Sequence, residues 1–184
     1  MPNVTILDRE TTVSFLTGVD AVRSLDNDEL LRGVADMAAL INRIDWPERY
    51  REAFRGMKEI VFFEGRVKVN GHWMERPCCD EDDAVFYWKA EEFMRNTDAD
   101  VRANTFFHDC WHVVQFKESG NRFARDQNEQ VEREVDATGQ QIEVAKLLGC
   151  QPHEISHLQH FMNDNAVIVA RLKEGVGLPM HHTA

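Results

Sequence analysis

Apolar residues recur at helical spacing in the N-terminal part of the chain. One such stretch follows the capping residues Asp26–Asp28 and continues to about residue 44. A second, short helix is expected next, with Asp45 near its cap and Pro47 in its first turn, where a missing N–H is tolerated. Residues 1–57 are therefore predicted to form a helical N-terminal part. The apolar positions of the first helix are Leu30, Leu31, Val34, Met37, Ala38, Ile41 and Ile44.

The pattern then changes to β-prone runs. Turn signals separate these runs, and the Asn70-Gly71 pair between the last two is a strong hairpin signal. Residues 58–75 are thus predicted to form an antiparallel β-meander. The acidic stretch Asp80–Asp83 resembles the first turn of a helix, although Ala84–Trp88 could equally form a strand. The runs of the meander are Glu59–Phe63, Arg66–Val69 and His72–Met74.

Three longer helices are predicted in the C-terminal half, over residues 97–177. Glycine, which lacks a Cβ, ends the first two. No repeat or linker interrupts the chain, so the expected structure is a single α+β domain, mostly helical with a small antiparallel sheet. The predicted helices run from Thr97 or Asp98 to Gly120, from about Asp126 to Leu148, and from Pro152 toward Glu174, with a frayed tail at Leu178–Ala184.

Composition and charge narrow the possible partners. The 184-residue chain carries 32 acidic and 21 basic side chains and a formal net charge of −11. This charge would repel phosphate backbones and anionic lipids, so no nucleic acid and no membrane surface is expected as a partner, whereas a basic or peptide-like substrate is compatible. The first ten residues lack the apolar stretch of a signal peptide, and the four cysteines are expected to be reduced, as in the cytoplasm.

Candidate chemistry is concentrated in the first of the long C-terminal helices. His108 and His112 lie four residues apart, and this spacing places both imidazoles on one helical face, where they can bind one metal ion. Cys110 points to the apolar face and is expected to pack in the core. Taken alone, two histidines at this spacing are as compatible with ordinary surface or core positions as with a metal site.

The position of a third ligand follows from pairing the two helices as an antiparallel hairpin. A turn centred near residue 122 pairs His112 with Glu132 and His108 with Asp136. Glu132 is therefore the predicted third ligand. Asp136 is predicted to accept the second N–H of His108, since imidazoles that bind metals commonly donate their other N–H to a carboxylate. Glu134 is predicted to face elsewhere.

These residues resemble the active-site helices of gluzincin-type zinc metallopeptidases. The similarity lies in the runs Phe106–Gln115 and Glu132–Ala137, within a stretch of about thirty residues. It implies Zn²⁺ bound by His108, His112 and Glu132, with Asp109 in the position of the catalytic base. The implied function is a zinc-dependent hydrolase in which metal-bound water attacks a peptide-type carbonyl of a peptide or protein substrate.

Asp109 departs from the family pattern, which has Glu at this position. The shorter side chain raises a second interpretation, a zincin-like binding or regulatory module that has lost catalysis. A third interpretation is an HD-type metal phosphohydrolase, because His108-Asp109 also matches the start of that signature. That class needs a further histidine on an upstream helix, and the only upstream histidine, His72, lies in the predicted hairpin, so the pattern fits this class poorly.

Two other groups could compete for a metal. His153 and His157 belong to a literal His-Glu-x-x-His sequence, but it directly follows Pro152 at a helix start and lacks an apolar flank. Exposed polar residues are the favoured interpretation there. Cys78 and Cys79, together with His72 and Asp80, could form a soft metal site, although unreactive loop cysteines are favoured.

Overall fold

A computed structural model describes the backbone of residues 1–22, 25–69 and 71–173 and the side chains of these ranges up to residue 170. Strands and helices occur in separate runs along the chain, so the fold is of the α+β class, as predicted. The frayed tail predicted at Leu178–Ala184 lies outside the described residues. The elements in chain order are β1 (Asn3–Ile6), β2 (Arg9–Thr17), α1 (Asn27–Arg43), α2 (Glu48–Gly56), β3 (Glu59–Glu64), β4 (Val67–Val69), β5 (His72–Met74), β6 (Cys78–Asp80), β7 (Val85–Lys89), α3 (Ala90–Arg95), α4 (Ala99–Glu118), α5 (Gln127–Leu148) and α6 (Pro152–Lys173).

The main sheet is mixed and has the strand order β1-β2-β3-β7-β6. Its three central strands β2, β3 and β7 are parallel, and the outer strands β1 and β6 run antiparallel to their neighbours. Helices α1 and α2 form the long connection that a parallel β2–β3 pair requires. Strand β6 therefore lies at one edge of the sheet, and it contacts α4.

Two predictions for the N-terminal half need correction. Residues 1–57 are not wholly helical, because β1 and β2 precede α1 and pair through a tight turn at Leu7 and Asp8, both of which have positive φ. The alternation of polar Thr12 and Ser14 with apolar Val13 and Phe15 is the sequence signal that could have revealed β2.

The predicted meander over residues 58–75 is correct only for its second half. Strands β4 and β5 form the antiparallel hairpin, but β3 belongs to the main sheet. Residues 60–63 of β3 are all buried, as is typical of a central strand in a parallel sheet, which is covered on both faces. Of the two options for residues 80–88, the strand is confirmed as β7, and the edge strand β6 precedes it.

The long helices begin and end close to the predicted residues. Asp26 and Asp126 cap α1 and α5, because each carboxylate accepts the backbone N–H three residues later at 3.0 Å. Gly149 ends α5 in the left-handed conformation, with a φ of 79°. The short helix α3 was not predicted.

The core packs the apolar side of α4 against α2 and the sheet. Phe54 of α2 packs against Phe106 and Phe107, with ring centroids 6.2 and 5.3 Å apart. Cys110 is fully buried, as expected. Because this side of α4 is fixed by the aromatic core, His108 and His112 are directed toward α5. Within the described residues, no helix is both long and apolar enough to cross a membrane.

Candidate metal centre

The two motif histidines lie side by side on α4, in the half of the helix that faces α5. Their Nε2 atoms are 3.1 Å apart, and the rings are nearly perpendicular. His112 is buried, with 7% of its surface exposed, and the His108 side chain is 19% exposed. The helical spacing therefore brings the two imidazoles to one point, as the sequence indicated.

The carboxylate that joins them belongs to Glu134 of α5. Its oxygens lie 3.3 Å from Nε2 of His108 and 3.4 Å from Nε2 of His112. Ligand atoms about 2.0–2.1 Å from a zinc ion at tetrahedral angles are about 3.3 Å apart. The distances among the three side chains, 3.1, 3.3 and 3.4 Å, are close to this spacing.

Glu134 thus takes the place that the sequence analysis gave to Glu132. Glu132 is exposed and lies outside the group formed by the histidines and Glu134. A shift of two residues along a helix rotates the side chain by about 200°, so a small error in the helix–helix register selects the wrong face. Glu134 shares its stripe with Ala137, Gln141 and Ala145, which are buried toward the core or α4, and this stripe is the signal that could have identified it.

Charged contacts at the α4–α5 turn hold this register. Glu129 accepts ion pairs from Arg122, Arg125 and Arg133 at 2.7, 2.9 and 3.2 Å. Hydrogen bonds from Arg122 and Arg125 hold the pKa of the Glu129 carboxyl well below its usual range. Arg133 also pairs with Glu81, the residue after β6, at 3.5 Å. The turn and the edge of the sheet therefore orient the stretch of α5 that carries Glu134.

Two glutamines fix the tautomers of the histidines. Gln141 Oε1 lies 3.1 Å from Nδ1 of His108, and Gln115 Oε1 lies 2.9 Å from Nδ1 of His112. Each glutamine donates its amide N–H to groups that can only accept: Gln141 to the Asn104 carbonyl at 3.2 Å, and Gln115 to the Arg133 carbonyl at 2.9 Å. The amide oxygens must therefore face the histidines, and each Nδ1 must carry a hydrogen.

With both Nδ1 atoms protonated, the two Nε2 atoms present lone pairs to each other and to the Glu134 carboxylate. Three electron-rich groups at these distances require a positive charge between them. Burial lowers the pKa of His108, but its hydrogen bond to Glu134 and nearby carboxylates outweigh burial and raise it. Burial and the neighbouring His108 lower the pKa of His112. A divalent cation would satisfy the same three groups.

Asp136 supports the centre, but through a different contact from the predicted one. Its carboxylate accepts hydrogen bonds from Trp111 Nε1 and Gln115 Nε2, both at 2.8 Å. The partner of His108 is instead Gln141. Asp136 therefore orients His112 through Gln115, a connection that helix-pairing arithmetic could not reveal.

Replacing Asp136 by Ala is expected to weaken zinc binding by about 10–100-fold, the usual size of an effect that acts through a ligand's hydrogen-bond partner. The reason is that Gln115 loses one of the two acceptors that hold its oxygen toward His112. Affinity is measured by competition with a chromophoric chelator. Glu143→Ala, which removes an exposed carboxylate from the same helix, serves as the control and should leave affinity unchanged. Equal affinities in both variants would show that Asp136 plays no part in orienting His112.

Asp109 lies on the side of α4 that meets β6. Burial raises the pKa of its carboxyl to about 7, against the lowering effect of His108. Burial and the Asp109 charge together raise the pKa of the Cys79 thiol on β6. Asp109 makes no side-chain hydrogen bond to any residue within the described ranges. It is thus a carboxyl without a fixed partner beside the three converging groups.

The other candidate metal residues lie apart from this centre. His153 and His157 line a separate cavity at the start of α6. His72 lies on β5 and lines another cavity with Cys78 and Cys79, which are in β6 rather than in a loop. All four cysteines are unpaired thiols.

The chain matches no protein-family model, and the curated proteins and solved structures compared with it contain no match either. The resemblance to gluzincin-type peptidases therefore rests on the motif residues themselves. The function must be argued from the geometry of the centre.

Proposed function

We propose that the protein is a zinc-dependent hydrolase whose metal is bound by His108, His112 and Glu134. One observation carries this proposal: two Nε2 atoms and a carboxylate converge at tetrahedral ligand spacing, with each Nδ1 atom within hydrogen-bond distance of a glutamine oxygen. A pair of histidines that served only packing would not need both tautomers fixed in this way.

The donor set favours zinc. Two imidazole nitrogens and one carboxylate suit Zn²⁺, and three protein ligands leave one position open, as in catalytic rather than structural zinc sites. When bound there, the ion would supply a Lewis acid for a substrate carbonyl and lower the pKa of a coordinated water. Solvent reaches the site mainly near Glu134, because the Glu134 side chain is 30% exposed and the His112 side chain only 9%.

Asp109 is the proposed general base. It follows His108 directly on α4, and its carboxyl has no hydrogen-bond partner in the described part of the chain that would hold it away from a reacting group. A base is most effective when its pKa lies near the working pH, and burial moves Asp109 in that direction. Its role would be to accept a proton from the attacking water and return it to the leaving amine.

A peptide is the favoured substrate because of the edge strand beside the centre. β6 is paired only with β7 among the described strands, and it lies against the helix that carries the histidines. A sheet edge that is not paired on its outer side can bind an extended peptide through main-chain hydrogen bonds. The net charge of −11 also favours substrates that carry basic residues.

The proposal is tested by removing and restoring the metal. After treatment with a chelator, hydrolysis of a broad library of unstructured peptides should fall to background, and it should return when zinc is added. His112→Ala, which removes one ligand, should show no such recovery. Turnover that persists without metal, or that survives in His112→Ala, would contradict the proposal.

A second candidate is a zinc-binding module without catalysis. The specific observation in its favour is that the short Asp109 side chain makes no hydrogen bond to His108, His112 or Glu134, the three side chains that contact one another. Under this alternative the zinc site exists, but peptides bind without being cleaved.

A further inference from the structure

A separate cavity of about 500 Å³ lies where the first half of α4 meets the corner between α5 and α6. Gly149 ends α5 and Pro152 opens α6, so Cys150 is held at this corner with 7% of its surface exposed. Glu154 of α6 and Asn104 of α4 also line the cavity. The centre formed by His108, His112 and Glu134 is not part of its lining.

Three potential ligand atoms converge beside this cavity. The Cys150 sulfur and carboxylate oxygens of Asp100 and Glu154 all lie within 4.8 Å of one another. Each carboxylate is oriented by one backbone N–H: Asp100 Oδ1 accepts from Val101 at 2.9 Å, and Glu154 Oε2 accepts from Gln151 at 2.7 Å. Such bonds leave the other oxygen of each carboxylate available as a ligand.

An independent feature also indicates a ligand at this place. Asn104, one turn after Asp100 on α4, is 6% exposed, and its Oδ1 has no hydrogen-bond partner. A buried polar atom without a partner is unfavourable, and native structures rarely keep one unless a ligand or water satisfies it. Cys150 and Glu154 line the same cavity as Asn104, and with the adjacent Asp100 carboxylate they supply a sulfur and two carboxylates that attract a cation.

We propose that Asp100, Cys150 and Glu154 bind a second divalent cation of the zinc and cadmium class. A thiolate ligand favours such borderline or soft ions over magnesium or calcium, and two carboxylates complete a three-ligand set. Binding requires the Cys150 thiol to release one proton to solvent. The ion would join the first turn of α4 to the α5–α6 corner. The inference does not depend on the proposed hydrolase function.

Cadmium provides a direct test, because a thiolate bound to Cd²⁺ gives an ultraviolet charge-transfer band that histidine and carboxylate ligands do not give. Cadmium is added to the metal-free, fully reduced natural protein. The band should appear, and it should fall to background in Cys150→Ser. In the Cys78→Ser/Cys79→Ser variant, which removes the two partly exposed thiols, the band should remain.

Two further variants keep the test sound if Cys150→Ser fails to fold. Glu154→Gln preserves the acceptor for the Gln151 N–H but removes a charged ligand, so cadmium affinity should drop by at least tenfold while the circular dichroism spectrum is unchanged. His112→Ala should retain the full band, since it alters only the other centre. The proposal is overturned if the natural protein gives no band, if the band survives in Cys150→Ser, or if Glu154→Gln binds cadmium as tightly as the natural chain.

Discussion

Replacing Glu134 by Gln is expected to weaken zinc binding by more than the roughly 10–100-fold that changes around a ligand cause, because it removes a ligand itself. The matched change Glu132→Gln, two residues earlier on the same helix, should leave affinity unchanged. The amide keeps the size of each side chain and removes only its charge. Zinc content by elemental analysis and affinity by chelator competition measure the effect.

The same assay separates the two histidine pairs. His112→Ala should reduce the zinc content of this centre to near zero, whereas His157→Ala should leave it intact. All variants are prepared in a Cys150→Ser chain, so that a thiolate site cannot contribute to the measured metal. Loss of zinc in Glu132→Gln or His157→Ala, with retention in Glu134→Gln and His112→Ala, would refute the proposed ligand set.

Replacing Asp109 by Asn is expected to lower the rate of peptide hydrolysis by about 10²–10⁴-fold, the usual contribution of a general base, while zinc stays bound. Asparagine keeps the shape of the side chain but cannot accept a proton. The measurement is the ratio of kcat/KM for the natural and variant proteins, with zinc content determined on the same samples. Equal rates with full zinc occupancy would exclude Asp109 as the base.

Asp109→Glu distinguishes an adapted enzyme from a binding module. If α4 has adjusted to the shorter residue, the added methylene crowds the site and lowers activity below that of the natural protein. If catalysis has been lost, the natural protein shows no hydrolysis above background, and the longer carboxylate could restore some. Zinc binding without turnover in both proteins, across a broad peptide library, would leave only the binding module.

Local patterns in the sequence determined most of the helices and two of the three candidate ligands. The spacing of His108 and His112 is a property of one helix, and an α-helix places residues four apart on one face whatever surrounds it. The caps at Asp26 and Asp126 and the stop at Gly149 are local as well, since each depends on hydrogen bonds or φ within a few residues. Apolar spacing also placed Cys110 in the core.

Only the tertiary structure decided which side chains of one element contact those of another. Which carboxylate reaches the histidines depends on the register and rotation between α4 and α5, and a shift of two residues exchanges Glu132 for Glu134. Hydrogen bonds between the helices hold that register, from Trp111 and Gln115 to Asp136 and from Gln141 to the Asn104 carbonyl. The contact of Arg133 with Glu81 joins the same part of α5 to the residue after β6. None of these contacts has a periodic signal in the sequence.

The same reason explains the remaining differences. β3 was expected in a local hairpin with the next strand, but it pairs with β2 and β7. Two helices separate it from β2 along the chain, and the β4–β5 hairpin and β6 separate it from β7. Parallel strands are separated by long connections, so a turn signal beside β3 does not reveal its partners. The feature that indicates parallel pairing is the burial of β3 on both faces. The histidine tautomers likewise depend on Gln115 and Gln141. Each glutamine turns its amide oxygen toward a histidine because its amide N–H donates to a backbone carbonyl on the other side. Sequence therefore determined the chemistry available on α4, and packing decided how it is assembled into a candidate metal centre.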